Sequence, residues 1–339
     1  MELIGHMRSK YLLLFVFISF FACDQASKDT EKVSTLPEIR VEVPRFNADS
    51  AFHFIERQVA FGPRVPNTIS HRKTGEYLIS KLEEYGAIVI KQNFQATTFD
   101  NNNLGLTNII ASINPGIKKR ILLAAHWDTR PYADKDEDES RRTEPIDGAN
   151  DGGSGVAIIL EVARVIHVSD IKPDIGIDII LFDGEDWGFL DYEQSPPIPS
   201  NLDSWYCLGS QYWSNNKHIA NYSAYYGILL DMVGASNATF PMEGTSMQHA
   251  PSVMKKVWDW GNALGHGNVF VYDKKQAITD DHRFVNEIGK IPMIDIVHYD
   301  NINGYFGDFH HSHKDNISII DKTVLNAVGE TLLYVLYHE

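Results

Sequence analysis

The sequence predicts an α/β fold, a single domain in which a central, mostly parallel twisted sheet is flanked by helices. Short runs of branched apolar residues alternate along most of the chain with segments of helical periodicity, which is the rhythm of βαβ units. The composition supports the same prediction, because 43% of the 339 residues are hydrophobic and 11% are aromatic. A chain of this length and composition can build one large core.

Each predicted element follows from a local signal. Asp49 can cap a first helix, and a second helix around 75–85 ends at Gly86. Gly152 and Gly153 open a third helix with apolar residues at helical spacing. Further helices are predicted at 253–264 and 325–336, and strands at 87–94, 107–113, 121–125, 178–182, 226–230 and 291–297.

The first residues resemble a secretory signal. Arg8 and Lys10 precede an apolar run over 11–22 that is too short to span a bilayer. A small residue before Cys23 resembles the lipobox of bacterial lipoproteins, with an ordinary cleaved signal as the alternative. We therefore expect a signal peptide over 1–23, a flexible polar linker over 24–45 and a folded domain over 46–339. The expected location is the bacterial periplasm or cell envelope, with a lipid on Cys23 as the only membrane attachment.

The charge of the chain argues against a nucleic-acid-binding protein, and its cysteine content argues against a disulfide-stabilised one. The 45 acidic and 30 basic residues give a net charge of -15, which disfavours binding to nucleic acid. Cys207 has no partner for an intramolecular disulfide in the mature chain. The acidic stretch 134–139 is expected to be a solvated loop, with calcium binding or an influence on substrate charge as alternatives.

Acidic residues and histidines follow the predicted strands, where open α/β sheets bind their ligands. They are His126, Asp128, Asp151, Glu185, Asp186, Asp231, Asp280, Asp281, His282, His310 and His311. Taken singly, an aspartate after a strand is more often a turn residue or a helix cap, and a loop histidine can simply be exposed. Because all of them converge on one edge of the predicted sheet, a shared site is the better hypothesis.

Spacing and residue type both suit a metal site. His126 and Asp128 lie on the same side of an extended segment, so the carboxylate could orient the imidazole. Glu185 and its neighbour Asp186 point in different directions, so that one can bind metal while the other addresses the substrate. A catalytic zinc ion typically keeps three nitrogen or oxygen ligands and one open position. Asp186, together with Asp151 and His311, would provide that set.

The order of these motifs resembles the glutaminyl cyclases, which share a fold with the di-zinc aminopeptidases. The resemblance runs from about Phe61 to the last helix. It is carried by His126-Trp127-Asp128, Asp151 before a glycine-rich helix start, Phe182-Asp183-Gly184-Glu185-Asp186, Leu230-Asp231, Asp280-Asp281-His282 and His311.

The resemblance implies cyclisation of the N-terminal glutamine of a peptide or protein to pyroglutamate, with release of ammonia. It implies one zinc ion per chain on Asp151, Asp186 and His311, with Glu185 as general base and then general acid. Two further acids, Asp231 and Asp280, would lie beside the metal and hold the departing ammonia.

The metal count depends on the same acid pair. In the aminopeptidases, the equivalents of His126 and Asp231 bind a second zinc ion and that of Asp151 bridges the two. In the cyclases, Asp280 engages Asp231 and one zinc ion remains. The alternative for Asp280 is a capping role before the helix that follows it.

Departures from the animal cyclases indicate a bacterial branch. Asp186 stands where they have glutamate, and His310 stands where they have tryptophan. Trp187, Phe309 and His310 are candidate walls of the glutamine pocket. Two other functions stay open: a co-catalytic di-zinc aminopeptidase, and a non-catalytic surface lipoprotein that binds peptides or metal.

Overall fold

A six-stranded sheet with helices against both faces forms the centre of the computed structural model, which describes residues 37–39, 41–190, 193–300 and 305–339. Alternate residues of one central strand enter two different cores. Leu123 belongs to the larger core, and Leu122 belongs to a second core that includes Trp213 and Val285. This alternation is that of a strand buried on both faces, as the predicted fold class requires.

The elements follow one another in an α/β order. The helices are α1 Ala48–Val59, α2 Ile69–Glu84, α3 Gly153–Val168, α4 Leu208–Asn215, α5 Gly244–His249, α6 Pro251–Ala263, α7 Asp281–Glu287 and α8 Lys322–Tyr337. The strands are β1 Ile88–Thr97, β2 Asn103–Ile113, β3 Arg120–His126, β4 Gly176–Phe182, β5 Tyr226–Asp231, β6 Phe240–Met242, β7 Phe270–Lys274 and β8 Met293–Val297.

Strand order places the candidate site at one edge. The sheet runs β1-β2-β4-β3-β5-β8, and β6 pairs with β7 in a small second sheet. The pairs β3/β4, β3/β5 and β5/β8 are parallel, whereas β1/β2 and β2/β4 are antiparallel. His126 at the end of β3 lies opposite Phe182 at the end of β4. The four parallel strands therefore deliver their following residues to the same edge, and the predicted fold class is confirmed.

Helix starts differ from the predictions most clearly at α1 and α2. Asn47, and not Asp49, caps α1, because the Asn47 side chain accepts a hydrogen bond from the Ser50 backbone at 3.1 Å. The second helix begins at Ile69, six residues earlier than predicted, with Thr68 as its cap. Its first turns carry mostly polar residues, so apolar periodicity did not reveal them.

The predicted N-terminal segments lie largely outside the described residues. The signal peptide over 1–23 falls there, as does most of the linker over 24–45. Residues 37–39 and 41–45 carry no helix or strand. Leu36–Glu339 form one compact unit. Among the described residues, no helix combines the length and apolar character needed to cross a bilayer.

Candidate active site

A cavity of about 430 Å³ opens at the carboxyl ends of the parallel strands. Its walls include seven of the acids and histidines predicted from the sequence, namely Asp151, Glu185, Asp186, Asp231, Asp280, His310 and His311. Of these, His310 was also predicted as a pocket wall. The sheet topology therefore gathers residues that are up to 160 positions apart in the chain.

Asp151 is held by a loop that the sequence did not identify as special. The buried Asp315 carboxylate accepts the backbone N–H of Asn150 at 2.7 Å and that of Asp151 at 3.0 Å. Arg64, also buried, donates to the carbonyls of Asp147 at 2.8 Å and Gly148 at 2.6 Å. These bonds fix the backbone before α3, so the Asp151 side chain is presented to the cavity from a rigid support.

Glu185 and Asp186 follow the tight turn after β4, where Gly184 has a φ of 73°. The Asp128 carboxylate accepts the backbone N–H of Glu185 at 3.1 Å and that of Asp186 at 3.2 Å. We also predicted that Asp128 orients His126. Its Oδ1 lies 3.6 Å from His126 Nδ1, and that nitrogen has no hydrogen-bond partner among the described residues. Asp128 thus supports the Glu185 turn and contacts His126 more loosely.

His311 lines the cavity next to Asp186. Its Nε2 lies 3.2 Å from Asp186 Oδ1, and its Nδ1 lies 3.8 Å from Asp134 Oδ1. Arg130 holds Asp134 through two hydrogen bonds of 2.6 and 2.8 Å. Burial lowers the pKa of His311 well below its ordinary value, and the charge of Arg130 acts in the same direction. A neutral imidazole of this kind has a lone pair available for a metal ion.

The acidic stretch 134–139 is not the fully solvated loop that we predicted. Asp134 and Asp136 are buried, the first against Arg130 and the second against His313, whose Nδ1 lies 2.7 Å from Asp136 Oδ2. The partner of Asp134 is only four residues away but was not recognised as one, and the partner of Asp136 is distant in the sequence. The exposed acids, Glu137, Asp138 and Glu139, fit the prediction.

The donor set fits a zinc ion. Asp151 and His311 offer ligand atoms within 4.8 Å of one another in a group that includes His310. Asp186 contacts His311, and its Oδ2 is buried with no hydrogen-bond partner among the described residues. An unpaired buried carboxylate oxygen is costly unless a cation neutralises it. Two carboxylates and one imidazole are also the ligand types of a catalytic zinc site.

A second group of ligand atoms shares Asp151. His126 Nε2 lies 3.0 Å from Asp151 Oδ1 and 3.3 Å from Asp231 Oδ1. These three residues also offer ligand atoms within 4.8 Å of one another. The geometry therefore brings together the residues of both the one-metal and the two-metal hypotheses.

The buried acids that line the cavity have raised pKa values. Burial raises the pKa of Glu185 and of Asp186 well above their ordinary values. Repulsion from Asp186 adds to the shift of Glu185, and repulsion from Asp151 adds to that of Asp186. Burial also raises the pKa of Asp231 to about 7, with repulsion from Asp151 and a hydrogen bond with His126 acting in opposite directions. Negative charge is thus concentrated where a cation would relieve it.

Asp280 has the capping role that was the alternative considered for it, and it also lies at the cavity. It is the N-cap of α7, where its side chain accepts the Asp281 backbone N–H, and it also lines the cavity. Behind it lies Asp295 on β8, an unpredicted buried acid whose pKa is raised by burial and by repulsion from Asp280. The sequence did contain a signal that could have identified Asp295 as a candidate site residue, since it is an acid inside the apolar run of a buried strand.

Two predicted pocket walls are wrong. Trp187 packs in an apolar cluster with Leu106 and Leu208, and Phe309 packs in a cluster with Met232 and Tyr299. Neither side chain lines the cavity. The aromatic walls are instead Phe189, Tyr206, Tyr305 and Phe306. All four lie in loops, where no periodic pattern indicates which way a side chain points.

Comparison with known proteins agrees with this geometry. The chain is similar to the glutaminyl cyclase of Bacteroides thetaiotaomicron bound to N-acetylhistamine, with 46% identity and a TM-score of 0.84 over 88% of this chain and 100% of that one. The chain is also similar to a zinc-dependent exopeptidase from Parabacteroides distasonis, with 47% identity and a TM-score of 0.83 over 88% of this chain and 100% of that one.

More distant relatives are named glutaminyl-peptide cyclotransferases. The bovine glutaminyl-peptide cyclotransferase is 25% identical over 247 residues, which are 67% of this chain and 64% of that protein. The chain thus spans just under two thirds of the bovine relative. The model of peptidase family M28 matches residues 108–336. Because that match covers most of the sequence, the chain belongs to peptidase family M28.

Proposed function

We propose that this protein cyclises the N-terminal glutamine of peptides and proteins to pyroglutamate and releases ammonia. One observation carries the proposal: Glu185 lines the same cavity as the zinc-ligand candidates Asp151, Asp186 and His311 and as the acids Asp231 and Asp280. A cation site, a proton-transfer group and an acid pair are what this reaction requires. The names of the relatives support the same activity.

Asp151, Asp186 and His311 would hold the zinc ion, which supplies Lewis-acid polarisation of the γ-amide carbonyl when bound. The chain's own residues handle the protons. The substrate α-amine forms a bond to the γ-carbonyl carbon, and Glu185 accepts the proton that this nitrogen loses. The bond from that carbon to the amide nitrogen then breaks, and Glu185 returns the proton so that ammonia leaves. Asp231 and Asp280 accept hydrogen bonds from the departing ammonia.

We infer one zinc ion per chain. The support is that Asp280 lines the same cavity as Asp231 and that its charge contributes to the raised pKa of Asp231, since carboxylates that repel each other tend to share a proton rather than both ionise. A shared proton makes Asp231 a poorer ligand for a second ion. Metal analysis of the purified protein should find one zinc ion per chain. A reproducible value of two would contradict this inference and favour the group formed by His126, Asp151 and Asp231.

Glu185→Gln tests the role of the proton-transfer group. A peptide with N-terminal glutamine is incubated with the zinc-loaded protein, and ammonia and pyroglutamate are measured. We expect the variant to lose about 10²- to 10⁴-fold in turnover, the usual contribution of general acid–base catalysis. Glu83→Gln, an exposed change on α2, is the matched control and should retain full activity. Normal turnover by the Glu185 variant would contradict the proposed mechanism.

The same samples separate the cyclase from its alternatives. The second ligand group around His126 favours a co-catalytic aminopeptidase as the competing function. An aminoacyl arylamide reports that activity through the free amine. Arylamide cleavage without pyroglutamate would replace our proposal with the aminopeptidase. Silence in both assays would favour a non-catalytic binding protein.

We also propose that the chain is exported and anchored by a lipid on Cys23 at the bacterial cell envelope. The support is the basic and apolar N-terminal pattern that ends at Ala22-Cys23. Labelled fatty acid supplied to expressing bacteria should appear in the wild-type protein and be absent from Cys23→Ala. Equal labelling of both proteins would refute the anchor.

A further inference from the structure

The thiol of Cys207 lies directly beneath the proton-transfer carboxylate. Its Sγ donates a hydrogen bond to Glu185 Oε1 at 3.1 Å. Cys207 is completely buried, whereas Glu185 is half-buried and lines the cavity. The thiol therefore engages the inner carboxylate oxygen and leaves Oε2 as the oxygen able to reach a substrate.

The backbone ties the same two segments together. The N–H of Cys207 donates to the Glu185 carbonyl at 2.9 Å, and the N–H of Leu208 donates to the Gly184 carbonyl at 3.0 Å. Cys207 has a φ of 59°, a left-handed conformation that costs energy for a residue with a side chain. The turn before α4 thus holds a strained residue in register with the Glu185 turn.

We propose that Cys207 is a positioning residue for Glu185. Its S–H donor fixes the carboxylate rotamer so that Oε2 faces the substrate α-amine. This inference rests on the proposed function only for its kinetic consequence, since the hydrogen bond itself is independent of the reaction. Burial raises the pKa of the Cys207 thiol well above its ordinary value, so the sulfur keeps the proton that it donates.

A different reading of the same contact is a metal site. Glu185, Cys207 and Asp280 offer ligand atoms within 4.8 Å of one another. Thiolate is a strong zinc ligand, so removal of Cys207 would then reduce the metal content. A positioning role predicts that the metal content is unchanged, and this difference separates the two readings.

The kinetic test uses the zinc-loaded full chain and two variants. Cys207→Ala removes the donor, and Cys207→Ser keeps one. We expect the alanine variant to lose about tenfold in kcat for a glutamine-initiated peptide, the loss of one hydrogen bond to a charged group. KM and zinc content should stay within twofold of wild type, and the serine variant should recover most of kcat. Loss of zinc, a change confined to KM, or equal kcat in all three proteins would overturn the proposal.

An infrared measurement tests the contact without activity. The S–H stretching band of Cys207 is assigned by its disappearance in Cys207→Ser. Glu185→Gln replaces a charged acceptor with a neutral amide, so this band should move to higher frequency. An unmoved band would refute the bond. If the wild-type protein forms no pyroglutamate, the proposed function fails, and the band shift still decides the Cys207 contact.

Discussion

Two buried aspartates near opposite ends of β4 have opposite surroundings. Asp178, near the start of the strand, accepts hydrogen bonds from Arg120 Nε and Nη2 at 2.6 Å each, from Ser112 at 2.5 Å and from Tyr222 at 2.8 Å. Asp186, four residues beyond the strand end, has a buried oxygen with no hydrogen-bond partner among the described residues.

The pKa shifts follow from this difference. Burial alone would raise the pKa of Asp178, but its hydrogen bonds with Arg120, Ser112 and Tyr222 outweigh burial and lower it. Burial raises the pKa of Asp186, and repulsion from Asp151 adds to the rise. A satisfied carboxylate stabilises the fold, whereas an unsatisfied one is kept for a ligand. The two ends of β4 therefore provide a matched test of structural and functional acids.

Asp186→Asn gives the largest expected effect. Loss of one zinc ligand should lower cyclase activity by about 10³-fold or more, because metal polarisation is worth several kcal/mol. The midpoint of thermal unfolding of the metal-free protein should stay level or rise, since the change removes a buried charge that repels Asp151. Zinc titration measures the loss of metal binding, and the pyroglutamate assay measures the loss of activity. Calorimetry of the metal-free protein measures the midpoint of thermal unfolding. Large destabilisation of the metal-free variant would show that Asp186 stabilises the fold, and it would contradict the difference drawn between Asp186 and Asp178.

Asp178→Asn should give the reverse pattern. The change leaves the partly buried Arg120 guanidinium without its charged partner, and breaking such a pair costs about 3 kcal/mol. Urea unfolding measures the loss, and zinc content and kcat of the folded protein should match wild type. A large loss of zinc with normal stability would contradict the structural assignment of Asp178.

The pH dependence of stability sharpens the assignment of Asp178. Its pKa is lowered in the folded protein, so the stabilisation is complete above the unfolded pKa of about 3.9 and is lost as the pH falls through the lower folded pKa. The difference in unfolding free energy between wild type and Asp178→Asn should therefore be constant from about pH 5 upward and shrink below about pH 4. A difference that grows on acidification would refute this linkage.

Sequence patterns predicted the sheet and the acids that line the cavity for one physical reason. Branched apolar runs such as 121–125 reveal strands, and parallel strands bring their following residues to one edge. Asp151, Glu185 and Asp231 could be found from that rule alone. Their chemical roles came from the resemblance to the cyclases, since a strand-end aspartate by itself fits a cap equally well.

The supports of the site could not be predicted in the same way. Asp315 binds the backbone of Asn150 and Asp151 across more than 160 residues, and Cys207 reaches Glu185 from a loop. Such contacts depend on how loops pack, and no local periodicity encodes them. The same reason applies to Trp187, because its position next to Asp186 did not reveal that it packs in an apolar cluster with Leu106 and Leu208.

Tyr222→Phe is the smallest change and the most precise test of the comparison. It removes one of the donors to Asp178 and leaves Arg120 and Ser112 in place, so we expect a loss of about 1 kcal/mol in unfolding free energy. Because Arg120 still neutralises the carboxylate, the loss should stay well below that of Asp178→Asn. Combined with Asp178→Asn, the tyrosine change should cost less than it does alone, since its acceptor has changed. Full additivity would show that the Tyr222 hydroxyl stabilises the fold through some other contact.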